Sequence, residues 1–249
     1  MNSAQVLTEK KSIFDRNLKE GNLPTPSLHE ITRSEVQASQ VGGLRDDMDE
    51  IDENDVGEKR RLVFLDLMIE TSHYNPKQLS QDEIKQQVDT IMFEGHDTTA
   101  AASSFVLCML GCHADVQAKV LQEQKAIFND STRDCTFADT LEMKYLERVI
   151  LETMRLYPPV PLYARKINQD LQLASIDSVV PAGTTIIIGA FVIHRRPDIF
   201  QNPEKFDPDN FLPERSASRH YYSYIPFGAG PRSCVGRDRK STRLNSSHV

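Results

Sequence analysis

Apolar residues recur at helical spacing through most of the first 160 positions. Val6, Leu7, Ile13, Phe14 and Leu18 sit among charges in residues 1–20 and predict an amphipathic helix, ended by the stretch from Gly21 to Pro26. Residues 22–60 lose the pattern and read as a linker. Leu62 to His73 regains it. A long helix follows, with Ser80 as N-cap and Glu83 completing a capping box. Ile84, Val88, Ile91 and Met92 mark one face, and Ala102, Val106 and Met109 continue it. A helix over 80–113 spans roughly 50 Å at 1.5 Å rise per residue. Its middle, Glu94-Gly-His-Asp-Thr-Thr99, carries a glycine and two threonines, which weaken a helix interior. A local conflict of that kind marks a candidate functional place.

Val116 to Phe128 predicts a further helix and Asn129 to Thr136 a loop. Leu141 to Tyr157 predicts a helix stopped by Pro158-Pro159. Beyond it the period shortens. Val179-Val180, a turn at Pro181-Ala-Gly183 and Thr184 to Ile188 predict a β-hairpin. Residues 194–226 are rich in Pro, Asp and Asn with little periodicity. So long an irregular segment inside a domain is either functional or heavily pinned. No internal repeat is visible.

Composition changes this picture little. The chain has 249 residues, 39% hydrophobic and 26% charged, which suits one or two globular domains. A net charge of −7 gives no general basic footprint for nucleic acid. The acids cluster: Asp46, Asp47, Asp49, Glu50, Asp52, Glu53, Asp55 and Glu58 fall between Leu44 and Arg61, as in a solvated loop. The cysteines are 108, 112, 135 and 234, with no Cys-x-x-Cys pair to suggest zinc or a redox dithiol. Cys108 and Cys112 lie one turn apart in an apolar run and are expected in the core. The N-terminus resembles no secretory signal, and no run of 18 apolar residues exists.

The densest chemistry lies in Phe227-Gly-Ala-Gly-Pro-Arg-Ser-Cys-Val-Gly236. Glycines at 228, 230 and 236 let the backbone approach a partner closely and take positive φ. Backbone N–H groups there can stabilise a thiolate at Cys234, and Arg232 can hold an anionic group of a bound partner. The order Phe-x-x-Gly-x-Arg-x-Cys-x-Gly resembles the haem-binding loop of cytochrome P-450 enzymes. In that family a cysteine thiolate is the axial iron ligand and favours O–O cleavage. The resemblance makes Cys234 the metal ligand and places Phe227, Gly230, Arg232 and Gly236 around haem b.

Three further segments carry the same resemblance. Glu94-Gly-His-Asp-Thr-Thr99 resembles the oxygen-activating part of the family's central helix, Glu152-Thr-Met-Arg155 its Glu-x-x-Arg helix, and Phe206-Asp-Pro-Asp-Asn-Phe211 the meander before the haem loop. The implied fold is mainly α with a small β part, the cytochrome P-450 fold in incomplete form. Three parts follow: residues 1–61 as N-terminal helix and acidic linker, 62–237 as the C-terminal part of the catalytic domain, and 238–249 as a tail unlike the family. Asp97 and Thr98 are then the proton-relay pair, with back-bonding of Thr98 to a helical carbonyl as the alternative. Arg165 joins Arg232 as a partner for haem propionates, and Val160 to Tyr163 lie beside the substrate. His96 and His194 are iron-ligand candidates by residue type, but neither occupies a family ligand position, and both read as satisfied or exposed histidines.

Glu152 and Arg155 are expected as a buried pair that pins the meander. Glu30/Arg33 and Glu58/Arg61 share the spacing and read as exposed pairs worth a few tenths of a kcal/mol. The family usually completes the network with a meander arginine. Counting back from Pro226, that position holds Asn210, while Arg215 sits five residues too late. Asn210 offers amide hydrogen bonds without charge.

Glu94 stands where the family usually has Ala or Gly. A glutamate there resembles family 4, in which it can esterify a haem methyl, and whose members act on the ends of long alkyl chains. The acidic stretch, Asn54 to Arg61 and Arg133 to Asp139 resemble subfamily G of that family in insects, which turns long-chain aldehydes into hydrocarbons by oxidative decarbonylation. The implied partners are NADPH-cytochrome P-450 reductase, dioxygen and a long-chain lipid, with the parent enzyme at the endoplasmic reticulum membrane. The family's N-terminal half, membrane anchor and final helix have no counterpart here, and Ser241 to Val249 looks foreign to it. The chain therefore reads as an incomplete gene product, expected to be inactive by itself. The rival reading is a non-catalytic polypeptide that binds no haem. A cysteine-nucleophile hydrolase lacks a matching base motif for Cys234.

Overall fold

A computed structural model describes residues 3–20, 64–74, 79–129, 131, 133–173, 176 and 178–236. The acidic stretch from Leu44 to Arg61, Glu30, Arg33 and the tail from 238 lie outside the described residues. The described chain is mainly helical with a small β part, as expected. It divides into two compact units, Met1–Met92 and Phe93–Val249.

The first unit holds α1 (Ser3–Lys19), α2 (Phe64–Tyr74) and the start of α3 (Gln81–Cys112). Met68, Ile84 and Val88 form its buried core, with Leu7, Leu65 and Leu79 packed around them. These are the positions that helical periodicity assigns to the inner faces. The Ser80 N–H donates to Glu83 Oε2 at 2.8 Å, and the Glu83 N–H donates to Ser80 Oγ at 3.3 Å. The capping box expected from sequence therefore starts α3 by satisfying its free backbone donors.

In the second unit α3 continues to Cys112 and bends by 110° into α4 (Ala114–Phe128). No single helix among the described residues is long and apolar enough to cross a membrane. Then come α5 (Phe137–Glu142) and α6 (Lys144–Leu156). Ala102, Val106, Met109, Val116, Val120, Leu146, Val149, Ile150, Met154 and Phe206 belong to one continuous core. Cys108 and Cys112 do not join it: both are exposed, because α3 turns Val106, Met109 and Leu110 inward instead.

Leu141 to Tyr157 is not one helix. Met143 leaves helical geometry at φ −78°, ψ 57° and separates α5 from α6. Thr136 and Asp139 form a capping box at the start of α5. Glu123 of α4 serves the start of α6, accepting from the N–H groups of Tyr145 at 2.6 Å and Leu146 at 2.9 Å. The break survives because a carboxylate from another helix satisfies the donors it exposes.

The hairpin also differs from expectation. β1 (Tyr163–Lys166) pairs with β4 (Thr185–Ile188), and β2 (Leu171–Leu173) pairs with β3 (Ser178–Val180), all antiparallel. Both ladders keep one register: the series from Tyr163↔Ile188 to Lys166↔Thr185 resumes at Leu171↔Val180. The segment is thus one long interrupted ribbon, out through β1 and β2 and back through β3 and β4. Pro181 to Gly183 is a kink in the returning arm, not its turn. Gly183 takes φ +86° there, its N–H donates to the Ile167 carbonyl at 2.6 Å, and the Ala182 N–H donates to Asp170 at 2.8 Å. Cross-strand partners decide the turn, and local composition does not reveal them.

A short helix α7 (Ala190–Ile193) follows the ribbon. The irregular segment after it is pinned by 3₁₀ turns at Pro208–Phe211, Tyr221–Ser223 and Gly230–Arg232, and by the short helix α8 (Pro213–Ser216).

Candidate functional site

Glu152 and Arg155 point from α6 into the protein and are fully buried. The Arg155 Nε donates to Glu152 Oε2 at 2.7 Å, and Nη2 donates to Oε1 at 2.8 Å. Nη1 donates to the carbonyls of His194 at 2.9 Å and Pro203 at 2.6 Å, and Nη2 also to that of Lys205 at 3.0 Å. A guanidinium has five N–H donors, and all five are placed. A charge buried this deeply is tolerable only with such complete pairing. The Phe200 ring lies under the guanidinium, 4.9 Å away, with Arg219 also over the ring at 4.7 Å. Burial lowers the Arg219 pKa.

Glu152 gains two further donors: the Asp207 N–H at 2.8 Å and Asn210 Nδ2 at 3.1 Å, both to Oε1. Asn210 therefore occupies the third place of the network, as counted from Pro226, and serves it as a neutral amide. Arg215 is at the surface instead, with Nη1 3.3 Å from Asp207. Arg148 ties α6 to the same turn by donating to Asp209 at 2.9 Å. The polar, aperiodic segment is thus held from one helix face.

That segment leads into the cysteine loop. Gly228 and Gly230 take φ of +70° and +76°, a region that L side chains avoid. The resulting curl lets the Cys234 N–H donate to the Phe227 carbonyl at 2.8 Å, and the Ser233 N–H to the Gly230 carbonyl at 2.9 Å. Cys234 is half-buried, while Val235 is 88% exposed. A Cβ on Gly236 would stand 4.0 Å from Cys234 Sγ, an ordinary contact distance. Arg165 of β1 donates from Nη2 to the Arg232 carbonyl at 3.3 Å. The contact ties the ribbon to the backbone of the loop at Arg232. Tyr163, two residues before Arg165, has its phenol pKa raised by burial, with Arg165 opposing.

On α3, Glu94 and Asp97 are exposed and Thr98 is half-buried. Thr98 Oγ1 donates to the Glu94 carbonyl at 3.0 Å, and Thr99 Oγ1 to the Gly95 carbonyl at 3.1 Å. The back-bonded alternative is thus the observed geometry. It leaves the Thr98 oxygen free to accept a proton-bearing partner while its own proton is held. His96 is exposed on the same helix, and His194 is buried.

The structure brings Glu152, Arg155 and Asn210 into one cluster, and Arg165, Arg232, Phe227 and Cys234 around one loop. Three contributors escaped the sequence reading. Glu123 stands in a helix of ordinary periodicity, and Phe200 carries no motif. His194 is expected only as a satisfied or exposed histidine, and its partner is found in the fold: Nε2 accepts from the Ile225 N–H at 2.9 Å. Only tertiary contacts identify these three.

Comparison with known proteins agrees with this geometry. The family model described as Cytochrome P450 matches residues 28–238. Cytochrome P450 4g1 of Drosophila melanogaster is 67% identical over 208 residues, covering 83% of this chain and 37% of that protein. Cytochrome P450 4g15 of the same fly is 59% identical, covering 82% of this chain and 35% of that protein. Cytochrome P450 4V2 of Pongo abelii is 46% identical, covering 72% of this chain and 34% of that protein. The chain thus spans about a third of the length of the curated relatives it matches. With a buried Glu-x-x-Arg network, a glycine-curled cysteine loop and a match over most of its length, the chain belongs to the cytochrome P450 family.

Proposed function

We propose that the protein containing this chain is a haem-thiolate monooxygenase acting on long alkyl chains. The observation that carries the reading is the loop at Cys234. Its two positive-φ glycines curl the backbone, and its sulfur sits half-buried beside the small Gly236. Such a place fits a flat ligand approaching a thiolate. A single soft sulfur donor with adjacent arginines also suits an iron porphyrin that carries two carboxylates. When bound, haem supplies dioxygen activation and the insertion of one oxygen atom into a C–H bond.

The chain's own residues then take distinct parts. Cys234 would hold the iron as thiolate. Arg165 and Arg232 would neutralise the propionates, while Phe227 and Gly230 shape the loop. Asp97 and Thr98 would hold and pass protons, Asp97 as exposed carboxylate and Thr98 as hydroxyl acceptor. Val160 to Tyr163 border the alkyl chain. Glu94 would offer the carboxylate for an ester to a haem methyl, which loses one C–H bond and two electrons, with dioxygen activated during turnover as the oxidant. Electrons come from NADPH-cytochrome P-450 reductase at the endoplasmic reticulum membrane. The likeness to Cytochrome P450 4g1 and 4g15 supports substrates oxidised at the chain end, either fatty acids or long-chain aldehydes.

The test uses the full-length protein containing this chain. Reduced and CO-bound, it should show a thiolate-type Soret band, and Cys234→Ser should abolish it. A normal band in that variant would remove Cys234 from the iron. Incubation with reductase, NADPH and a long-chain fatty acid or aldehyde should give terminal hydroxy acid or hydrocarbon. Denaturation after turnover should leave haem attached to protein unless Glu94 is replaced by Ala.

A further inference from the structure

His194 has no part in the chemistry just described, yet it is fully buried and faces the route from the Glu152/Arg155 network to the cysteine loop. Its carbonyl accepts from Arg155 Nη1 at 2.9 Å. Its ring reaches the other way, with Nε2 accepting from the Ile225 N–H at 2.9 Å. The Ile225 carbonyl in turn accepts from the Gly228 N–H at 3.1 Å, and the Phe227 carbonyl accepts from the Cys234 N–H at 2.8 Å. Between Arg155 and Cys234 every link is thus a hydrogen bond or a short piece of backbone.

We propose that His194 is a positioning residue for the cysteine ligand: as a hydrogen-bond acceptor it fixes Ile225 and so transmits the placement of α6 to Cys234. The inference rests on the haem-thiolate reading above. Two observations make the acceptor role specific. First, Ile225 is itself buried, so its N–H has no ready exchange with solvent. An acceptor lost there leaves a donor without a partner. Second, the ring is packed against a residue that α6 itself holds. It lies against Tyr224, with centroids 5.0 Å apart, and the Tyr224 hydroxyl donates to the Leu151 carbonyl of α6 at 2.8 Å. Nε2 can accept only in the neutral ring that carries its proton on Nδ1. Burial beside the cationic Arg155 and Arg195 favours that form and pushes the pKa down to about 4.

The test compares His194→Leu, which keeps bulk and removes the acceptor, with His194→Gln, whose amide oxygen can replace Nε2. Both are made in the full-length, haem-containing protein. The readout is the fraction of reduced, CO-bound haem with a thiolate-type Soret band, set against total haem measured after denaturation. A lost hydrogen bond corresponds to as much as about tenfold in the population of the held geometry. H194L should lose most of the thiolate band while keeping haem, and H194Q should keep most of it. Equal bands in H194L and the unsubstituted protein would overturn the inference. So would equal losses in H194L and H194Q, because ring shape would then matter and acceptance would not. If H194L does not accumulate, H194Q decides: a retained band supports the inference and a lost band overturns it. Absence of a thiolate band from the unsubstituted protein would instead remove the haem-thiolate reading, and this inference with it.

Discussion

At the scale of single residues, burial separates ion pairs of similar geometry. Arg155 and Glu152 are fully buried, whereas Arg196 and Asp198 form a surface pair with side chains 57% and 59% exposed. Removing one partner of a buried pair leaves an uncompensated charge, so Arg155→Ala should cost about 3–5 kcal/mol. Arg196→Ala should cost about 0–1 kcal/mol. Denaturant unfolding of the full-length protein checks both, and equal effects would contradict the assigned network.

His194 gives a pH dependence of definite sign. Its folded pKa is pushed from 6.5 down to about 4, chiefly by burial. Below about pH 6.5 the unfolded chain binds a proton that the folded chain refuses until about pH 4. The contribution to stability is therefore complete above about pH 6.5 and lost as the pH falls through that window, by roughly 3 kcal/mol in all. His194→Gln should flatten this part of the profile in unfolding measurements between about pH 7.5 and pH 4. An unchanged slope would mean that another group titrates.

At the scale of elements, the cysteine loop shows what backbone geometry demands. At Gly228 an added Cβ would meet Ser233 Cα and Tyr163 Cζ at 3.9 Å, ordinary contact distances. The cost of Gly228→Ala therefore comes from its φ of +70° and should be about 1–2 kcal/mol. Gly230→Ala, at φ +76° with nothing near its Cβ, should cost about the same. Gly236→Ala carries no such penalty. It should leave stability within about 0.5 kcal/mol, because a methyl 4.0 Å from Sγ makes only an ordinary contact. Thermal unfolding of the three variants checks the difference. The helices teach a complementary lesson. The start of α3 needs only Ser80 and Glu83, close in sequence, while the start of α6 borrows Glu123 from α4.

At the scale of the whole molecule, α3 carries apolar side chains outward as well as inward. Phe93 is 64% exposed and Leu107 56%, although Val106 beside it is fully buried. Such apolar exposure on one helix favours self-association. The 249-residue chain prepared alone should therefore bind apolar dyes and sediment as aggregates. A monodisperse, dye-silent chain with a cooperative unfolding transition would contradict this.

Local spacing was enough for much of this protein. Helical periods set α1, α2, α3 and α4, because burying one apolar face needs only the right residue every three or four positions. The fixed order of Phe227, Gly230, Arg232, Cys234 and Gly236 announced the loop, since positive φ and a thiolate site make demands that few residue types meet. Asn210 could be placed by counting alone. Tertiary structure decided the rest. It broke Leu141–Tyr157 at Met143 where Glu123 supplies a distant cap, and it moved the ribbon's turn away from Pro181–Gly183 because cross-strand register outweighs turn composition. It exposed Cys108 and Cys112, which share an apolar run with the core but not its face. It also joined His194 to Ile225 across 31 positions of sequence. A hydrogen bond between residues so far apart leaves no periodic trace, because only the folded chain brings donor and acceptor together.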